Sequence, residues 1–142
     1  MLSFIINTVV YIGIVGLVIF ALPAFLSKKL GTEYPIAAIT SGSMWPVLHK
    51  GDLILIEAVG KDDLKKGDII VWQNNKGFTI HRIAKLNEKN LVTKGDANFT
   101  EDEPIAYSDV IGRIVEIGDS NARVPYLGYV SILGAAFLAD KR

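Results

Sequence analysis

The sequence predicts a mainly β, antiparallel domain behind an N-terminal transmembrane helix. Two observations carry this. Residues 1–27 contain no charged side chain, so all 15 basic and 15 acidic residues fall in the remainder of the 142-residue chain. Between residues 36 and 117, short runs rich in Ile and Val alternate with turn residues, and no sustained 3.6-residue period is present.

The apolar run from Leu2 to Leu26, LSFIINTVVYIGIVGLVIFALPAFL, exceeds the roughly 20 residues a span needs. It has no basic start and is longer than the apolar core of a cleavable leader, about 7–15 residues. It is expected to be a retained anchor rather than a buried core helix. Pro23 is expected to kink or end the helix near the interface. Lys28 and Lys29 follow the span, and the positive-inside bias alone would keep them cytoplasmic. The expected organisation is an anchor over 1–27, a β-rich catalytic domain over 28–123 and an apolar segment over 124–142. The last contains VPYLGYVSILGAAFLA, which is short for a span and is expected to be interfacial or packed on the domain.

Candidate strands are Ile36–Thr40, Leu53–Ala58, Ile69–Gln73, Phe78–Leu86, Leu91–Lys94 and Val110–Ile117. Asn74-Asn75-Lys76-Gly77 joins two of them as a hairpin loop, and Lys61–Lys66 has room for one helical turn. Lys-Gly-Asp occurs three times, ending at Asp52, Asp68 and Asp96. For Asp52 and Asp68 the expectation is turn chemistry feeding buried strands, LILI and IIVW. Polar sequence follows Asp96 instead.

The chain carries formal charge zero, which gives no field to draw in nucleic acid. It has no Cys, so disulfides, thiolate catalysis and cysteine metal sites are excluded. Two isolated His with scattered carboxylates give no metal-ligand spacing, and no cofactor is expected. What remains is hydroxyl chemistry. Ser41-Gly42-Ser43-Met44-Trp45-Pro46 follows a strand and packs two hydroxyls around a Gly. A nucleophilic Ser needs an exposed hydroxyl on a rigid turn, with N–H groups aimed at a forming oxyanion. Ser-Gly-Ser alone is weak evidence for that. His81 lies in an alternating strand on one face with Thr79 and Ile83, a setting that also suits a structural imidazole. His49 sits in a polar turn as a reserve candidate. Acids cluster in the segment from Gly95 to Pro104, and one of them could orient His81 through Nδ1–H.

The blocks SGSMWPVLHKGDLILI, KKGDIIVW, HRIAKL, TKGDAN with Asp102, IGRIV and PYLGYVS, in that order, together resemble a type I signal peptidase of the archaeal and endoplasmic-reticulum, Ser-His branch. The resemblance covers about residues 36–131. It implies an antiparallel β fold related to the LexA-type self-cleaving proteases. By the same resemblance Ser43 is the nucleophile. His81 stands before Arg82 where the bacterial branch has a Lys base. Asp96 and Asp102 are the two implicated acids, with Asp102 favoured as the residue that orients His81. Asp96 is expected to hold its loop by accepting backbone N–H bonds. The Ser41 hydroxyl and the Ser43 N–H form the oxyanion hole.

The implied function is a membrane-anchored serine endopeptidase that removes signal peptides from secreted preproteins. Substrate would add as a strand along Ile36, Ala38, Ile39 and Thr40. Partners implied are signal peptides, membrane lipid and accessory membrane subunits, with no nucleic acid. The location implied is the cell membrane, or the endoplasmic-reticulum membrane in a eukaryote. The chain would be single-pass, with a cytoplasmic N-terminus and the domain on the outer or lumenal face, against the positive-inside bias. Two rivals stand beside this reading. One is a LexA-like or conjugation-type peptidase with another target. The other is a catalytically silent β module that binds secreted chains.

Overall fold

The computed structural model describes residues 1–139 except Lys76 and Asp119, with side chains described up to Leu133. The charged end of the 124–142 segment, Asp140-Lys141-Arg142, lies outside the described residues.

The N-terminal helix comprises α1 (Leu2–Gly16), a π-helical turn (Leu17–Ala21) and α2 (Leu22–Leu30) without a break. It does not end at Pro23. Proline lacks an N–H and its ring crowds the carbonyl four residues earlier. The π turn directly before it widens the helix there and lets it continue. The left-handed Gly31 (φ 69°) terminates α2. Leu2–Leu30 spans 29 residues and is long and apolar enough to cross a membrane. At about 1.5 Å per residue it exceeds a bilayer core of about 30 Å, so its last turn, with Lys28 and Lys29, can stand in the headgroups.

Ten strands follow. They are β1 (Ile36–Ala38), β2 (Leu53–Glu57), β3 (Ile69–Asn74), β4 (Gly77–Leu86), β5 (Asn90–Lys94), β6 (Ile105–Ala106), β7 (Val110–Ile114), β8 (Glu116–Ile117), β9 (Ser120–Asn121) and β10 (Arg123–Val124). An antiparallel sheet runs β1-β2-β7-β3-β4-β5-β6, with β10 also on β2; β8 and β9 form a separate ribbon. The Asn74–Gly77 hairpin is in place, since Asn74 pairs with Gly77. The turn expected in Lys61–Lys66 is a 3-10 turn over Lys61–Asp63. Three expected strands are shorter in the structure. The first stops at Ala38 rather than Thr40, the second at Glu57 rather than Ala58, and the run from Val110 to Ile117 is divided into β7 and β8 at Val115. At Val115 the N–H still bonds to Leu55 O of β2, while the carbonyl turns to accept from Ala122 N–H, in the chain between β9 and β10.

β3 shows why the sheet is stable. Its alternate residues point to opposite faces, and Ile69, Ile70 and Val71 are all buried. Ile69 and Val71 join a core of Ile39, Met44, Leu48, Ile54, Ile56 and Ile114. Ile70 joins a second core of Leu64, Ile83, Leu91 and Ile105. Both faces of the central strand are therefore covered, and each fully buried aliphatic side chain contributes about 1.5–3 kcal/mol.

The C-terminal helix α3 (Gly128–Ala139) begins against the domain. Gly128 N–H donates to Gly51 O, and the Tyr129 ring lies over Gly51 so closely that a Cβ there would fall 2.0 Å from Cε2. Only glycine fits, and its φ of 92° also suits glycine alone.

Candidate active site

The Ser41–Pro46 segment leaves the end of β1 and turns over the first core. Met44 and Leu48 are fully buried and anchor it, while Trp45 stays exposed. Trp45 N–H donates to Gly42 O at 3.1 Å, and Leu48 N–H to Met44 O at 2.9 Å. Ser43 is thus held by apolar side chains on one flank and local turns on both. Its Oγ lies 3.2 Å from Ser41 Oγ. Among the described residues no hydrogen bond leaves the Ser43 N–H.

A second turn clamps this one from outside. Ala97 N–H donates to Ser43 O at 2.9 Å. A Cβ on Gly95 would fall 2.7 Å from Ser43 O, so the close approach requires glycine at 95. Asp96 fixes the clamp. Its Oδ1 and Oδ2 accept from Arg82 Nε and Nη2, both at 2.8 Å, and Arg82 Nη1 donates to Gly67 O. The paired Asp96 carboxylate, against the effect of burial, raises the Arg82 guanidinium above its ordinary value. The expected backbone N–H partners of Asp96 are replaced by this side-chain fork. The reason is register: Arg82 pairs with Lys94 across β4 and β5, which brings its long side chain to the turn that follows β5.

His81 lies in β4 opposite Ile70 and is 7% exposed. Its Nδ1 is 2.5 Å from Asp102 Oδ2. That oxygen also accepts from Thr93 Oγ1 at 2.6 Å. With Nδ1–H donated to the carboxylate, Nε2 carries the free lone pair. Asp102, not Asp96, is therefore the acid on the imidazole.

One cleft of about 730 Å³ joins the parts. Ser41, Ser43 and His81 line it, with Ile36–Thr40, Ile80 and Asn98. Tyr34 and Phe78, whose rings touch at a centroid distance of 4.8 Å, line it too. Among the described residues β1 pairs only with β2. The first half of β4 pairs with β3, while β5 begins its pairing at Arg82. The cleft is thus lined by two strand stretches with unpaired edges. Beyond Ala38 the chain still follows β2 loosely: Ile39 N–H donates to Asp52 O, and Gly51 N–H to Ile39 O.

His49 does not line this cleft. Its Nδ1 is 3.2 Å from Arg123 Nη1, beside buried Asp52. Asp52 and Asp68 behave as turn residues, accepting from the N–H of His49 and Lys65, each at 2.9 Å. Among the described residues no cluster of three or more His, Cys, Asp or Glu could hold a metal ion. The structure adds residues the sequence reading passed over: Thr93 on Asp102, Arg82 on Asp96, and Asn98 in the cleft. Thr93 read as an ordinary strand residue. Its only signal was its place directly before the third Lys-Gly-Asp.

The Peptidase S24-like family matches residues 20–115. The chain is 31% identical over 118 residues to a signal peptidase complex catalytic subunit of Homo sapiens, covering 72% of this chain and 58% of that protein. It is 34% identical over 118 residues to a signal peptidase complex catalytic subunit of Sclerotinia sclerotiorum, covering 76% and 68%. A third such subunit, from Neurospora crassa, is 38% identical over 109 residues, covering 70% and 63%. The chain spans 58% of the length of the mammalian relatives it matches. The β sheet behind an apolar helix fits the family match and these relatives: this chain belongs to the Peptidase S24-like family, among the type I signal peptidases of the archaeal and endoplasmic-reticulum branch.

Proposed function

We propose that this chain is a membrane-anchored serine endopeptidase that removes signal peptides from preproteins. The observation that carries the reading is the cleft lined by both Ser43 and His81, with Asp102 on His81 Nδ1. Ser43 Oγ attacks the scissile carbonyl. His81 Nε2 takes its proton and returns it to the leaving amine. Asp102 holds the ring and stabilises its cationic form. The Ser43 N–H and Ser41 hydroxyl receive the oxyanion.

Substrate adds as a strand along Ile36, Ala38, Ile39 and Thr40, so backbone bonds supply affinity. Small, shallow pockets along that strand select small residues at the cut, as in the A-x-A-like ends of signal peptides. The helix Leu2–Leu30 confines the site to the membrane surface and raises the effective concentration of a membrane-held substrate. The N-terminus is cytoplasmic and the β domain lies on the outer or lumenal face. Relatives named as subunits of a complex support association with accessory membrane subunits.

The test is cleavage of a preprotein by detergent-solubilised protein, with the cut site mapped. Wild type cuts after the signal peptide; Ser43→Ala stays folded and inactive, because it removes one oxygen from an anchored turn. Substantial cleavage by folded Ser43→Ala would falsify the serine mechanism. For orientation, Asn75→Cys in the β3–β4 hairpin reacts with an impermeant thiol reagent from the outer face. Labelling only in broken membranes reverses the topology.

A further inference from the structure

We propose that Thr93 is a positioning residue for the peptidase reaction, acting through Asp102; this rests on the function proposed above. Thr93 lies in β5, is 0% exposed and pairs with Ile83, two residues beyond His81. It holds Asp102 at two points. Its carbonyl accepts the Asp102 backbone N–H at 2.8 Å, and its Oγ1 donates to Asp102 Oδ2 at 2.6 Å. The same Oδ2 faces His81 Nδ1.

Asp102 itself lies in an irregular stretch. Nothing in its local backbone fixes where its carboxylate points. Thr93 supplies what the loop lacks. A β-branched side chain in a strand is stiff at χ1, so Oγ1 is a fixed donor. A hydroxyl buried this completely needs a partner, and donation to an anion gives a short, strong bond. Fixing Oδ2 fixes the plane of the imidazole, and so the direction in which Nε2 presents its lone pair toward the cleft. A threonine serving only to fill the core would place its methyl group equally well and would be replaceable by valine.

The experiment uses the full chain in detergent and two readouts, preprotein cleavage and the rate at which a fluorophosphonate labels Ser43. Thr93→Val keeps the shape and removes the hydroxyl. It is expected to lower kcat and the labelling rate by about 10–100-fold, the range for loss of a bond to a charged group, with KM nearly unchanged. Thr93→Ser restores most of the rate. In an Asp102→Asn background Thr93→Val costs less than twofold more, because the pair acts as one unit. Full activity of folded Thr93→Val overturns the proposal. So does a full Thr93→Val penalty on top of Asp102→Asn, or a loss tracking only a lowered melting temperature that Ser does not rescue. Labelling of Ser43 without preprotein cleavage overturns the substrate reading alone, and the labelling rates still decide the role of Thr93. Wild type that neither cleaves nor labels overturns the catalytic reading and this inference with it.

Discussion

Asp96 and Asp102 stand six residues apart after the same strand and face different side chains. Asp96 takes the Arg82 fork and pins the turn that holds Ser43 O. Asp102 takes His81 and Thr93. Arg82 and His81 are consecutive in β4, so their side chains leave opposite faces of the strand. One acid-bearing segment therefore serves both sides of β4, and each acid matches the side it reaches. The other Lys-Gly-Asp turns share part of this arrangement. Asp52 and Asp68 each accept a backbone N–H from their own turn, as short acidic side chains commonly do, and each also meets an Arg of a neighbouring strand, Arg123 and Arg113. Asp96 has the same tripeptide, but both its carboxylate oxygens go to the Arg82 fork. A shared turn signature does not fix the partner of its carboxylate.

Breaking the two acids separately gives unequal losses. Asp102→Asn should keep the fold and lower turnover by about 10⁴-fold, the size seen when a serine protease loses the acid that sets its imidazole tautomer. A measured loss below tenfold would reassign the orienting group. Asp96→Asn is expected to act through structure. Weakening a bidentate charged pair that is only partly buried should cost about 1–2 kcal/mol. In a domain of this size that lowers Tm by several degrees. Activity should fall with the stability of the 95–98 turn, and Arg82→Lys should reproduce much of the effect, because Lys cannot form the fork. Unchanged Tm in both variants would show that the clamp is dispensable.

Asp52 allows a test by pH. Burial pushes its carboxyl up, but the His49 N–H and the Arg123 guanidinium outweigh that and leave it below its ordinary value of 3.8. A carboxyl lowered on folding stabilises the fold above that ordinary value, and the contribution disappears as pH falls through the lowered one. Wild type should therefore lose Tm more steeply below about pH 4 than Asp52→Asn. Parallel curves for the two proteins would remove Asp52 from the acid response. The smallest effect is expected for His49→Ala, whose imidazole touches Arg123 outside the cleft. It should retain most activity, whereas His81→Ala should be nearly inactive. Exchange of these two outcomes would identify the wrong imidazole as base.

Much of this molecule is written locally. An uncharged run of membrane length makes a helix whatever follows it. Runs such as Leu53–Ala58 and Ile69–Gln73 become strands because β-branched residues fit a pleated, buried surface. The hairpin at Asn74–Gly77 follows from turn chemistry. The order of motif blocks identified the candidate nucleophile and base, because the chemistry constrains residue type at fixed positions along the chain. Helix continuation through Pro23 was not legible, since the π turn that relieves the proline leaves no residue signature.

The partners of the acids were settled only in three dimensions. The sequence favours Asp102 over Asp96 for the imidazole, but nothing along the chain names the partner of either carboxylate. The Arg82–Lys94 register decides that Asp96 meets a guanidinium, and the Ile83–Thr93 register sets a buried hydroxyl where it meets Asp102. Strand register is a property of pairing between distant segments. It reflects the packing of Ile70, Ile83 and Leu91 into one core, and no single segment encodes it. The sequence by itself determined the apolar helix, the β character and the candidate site side chains. Tertiary structure decided which of those side chains touch, because contact depends on a register that only the assembled sheet possesses.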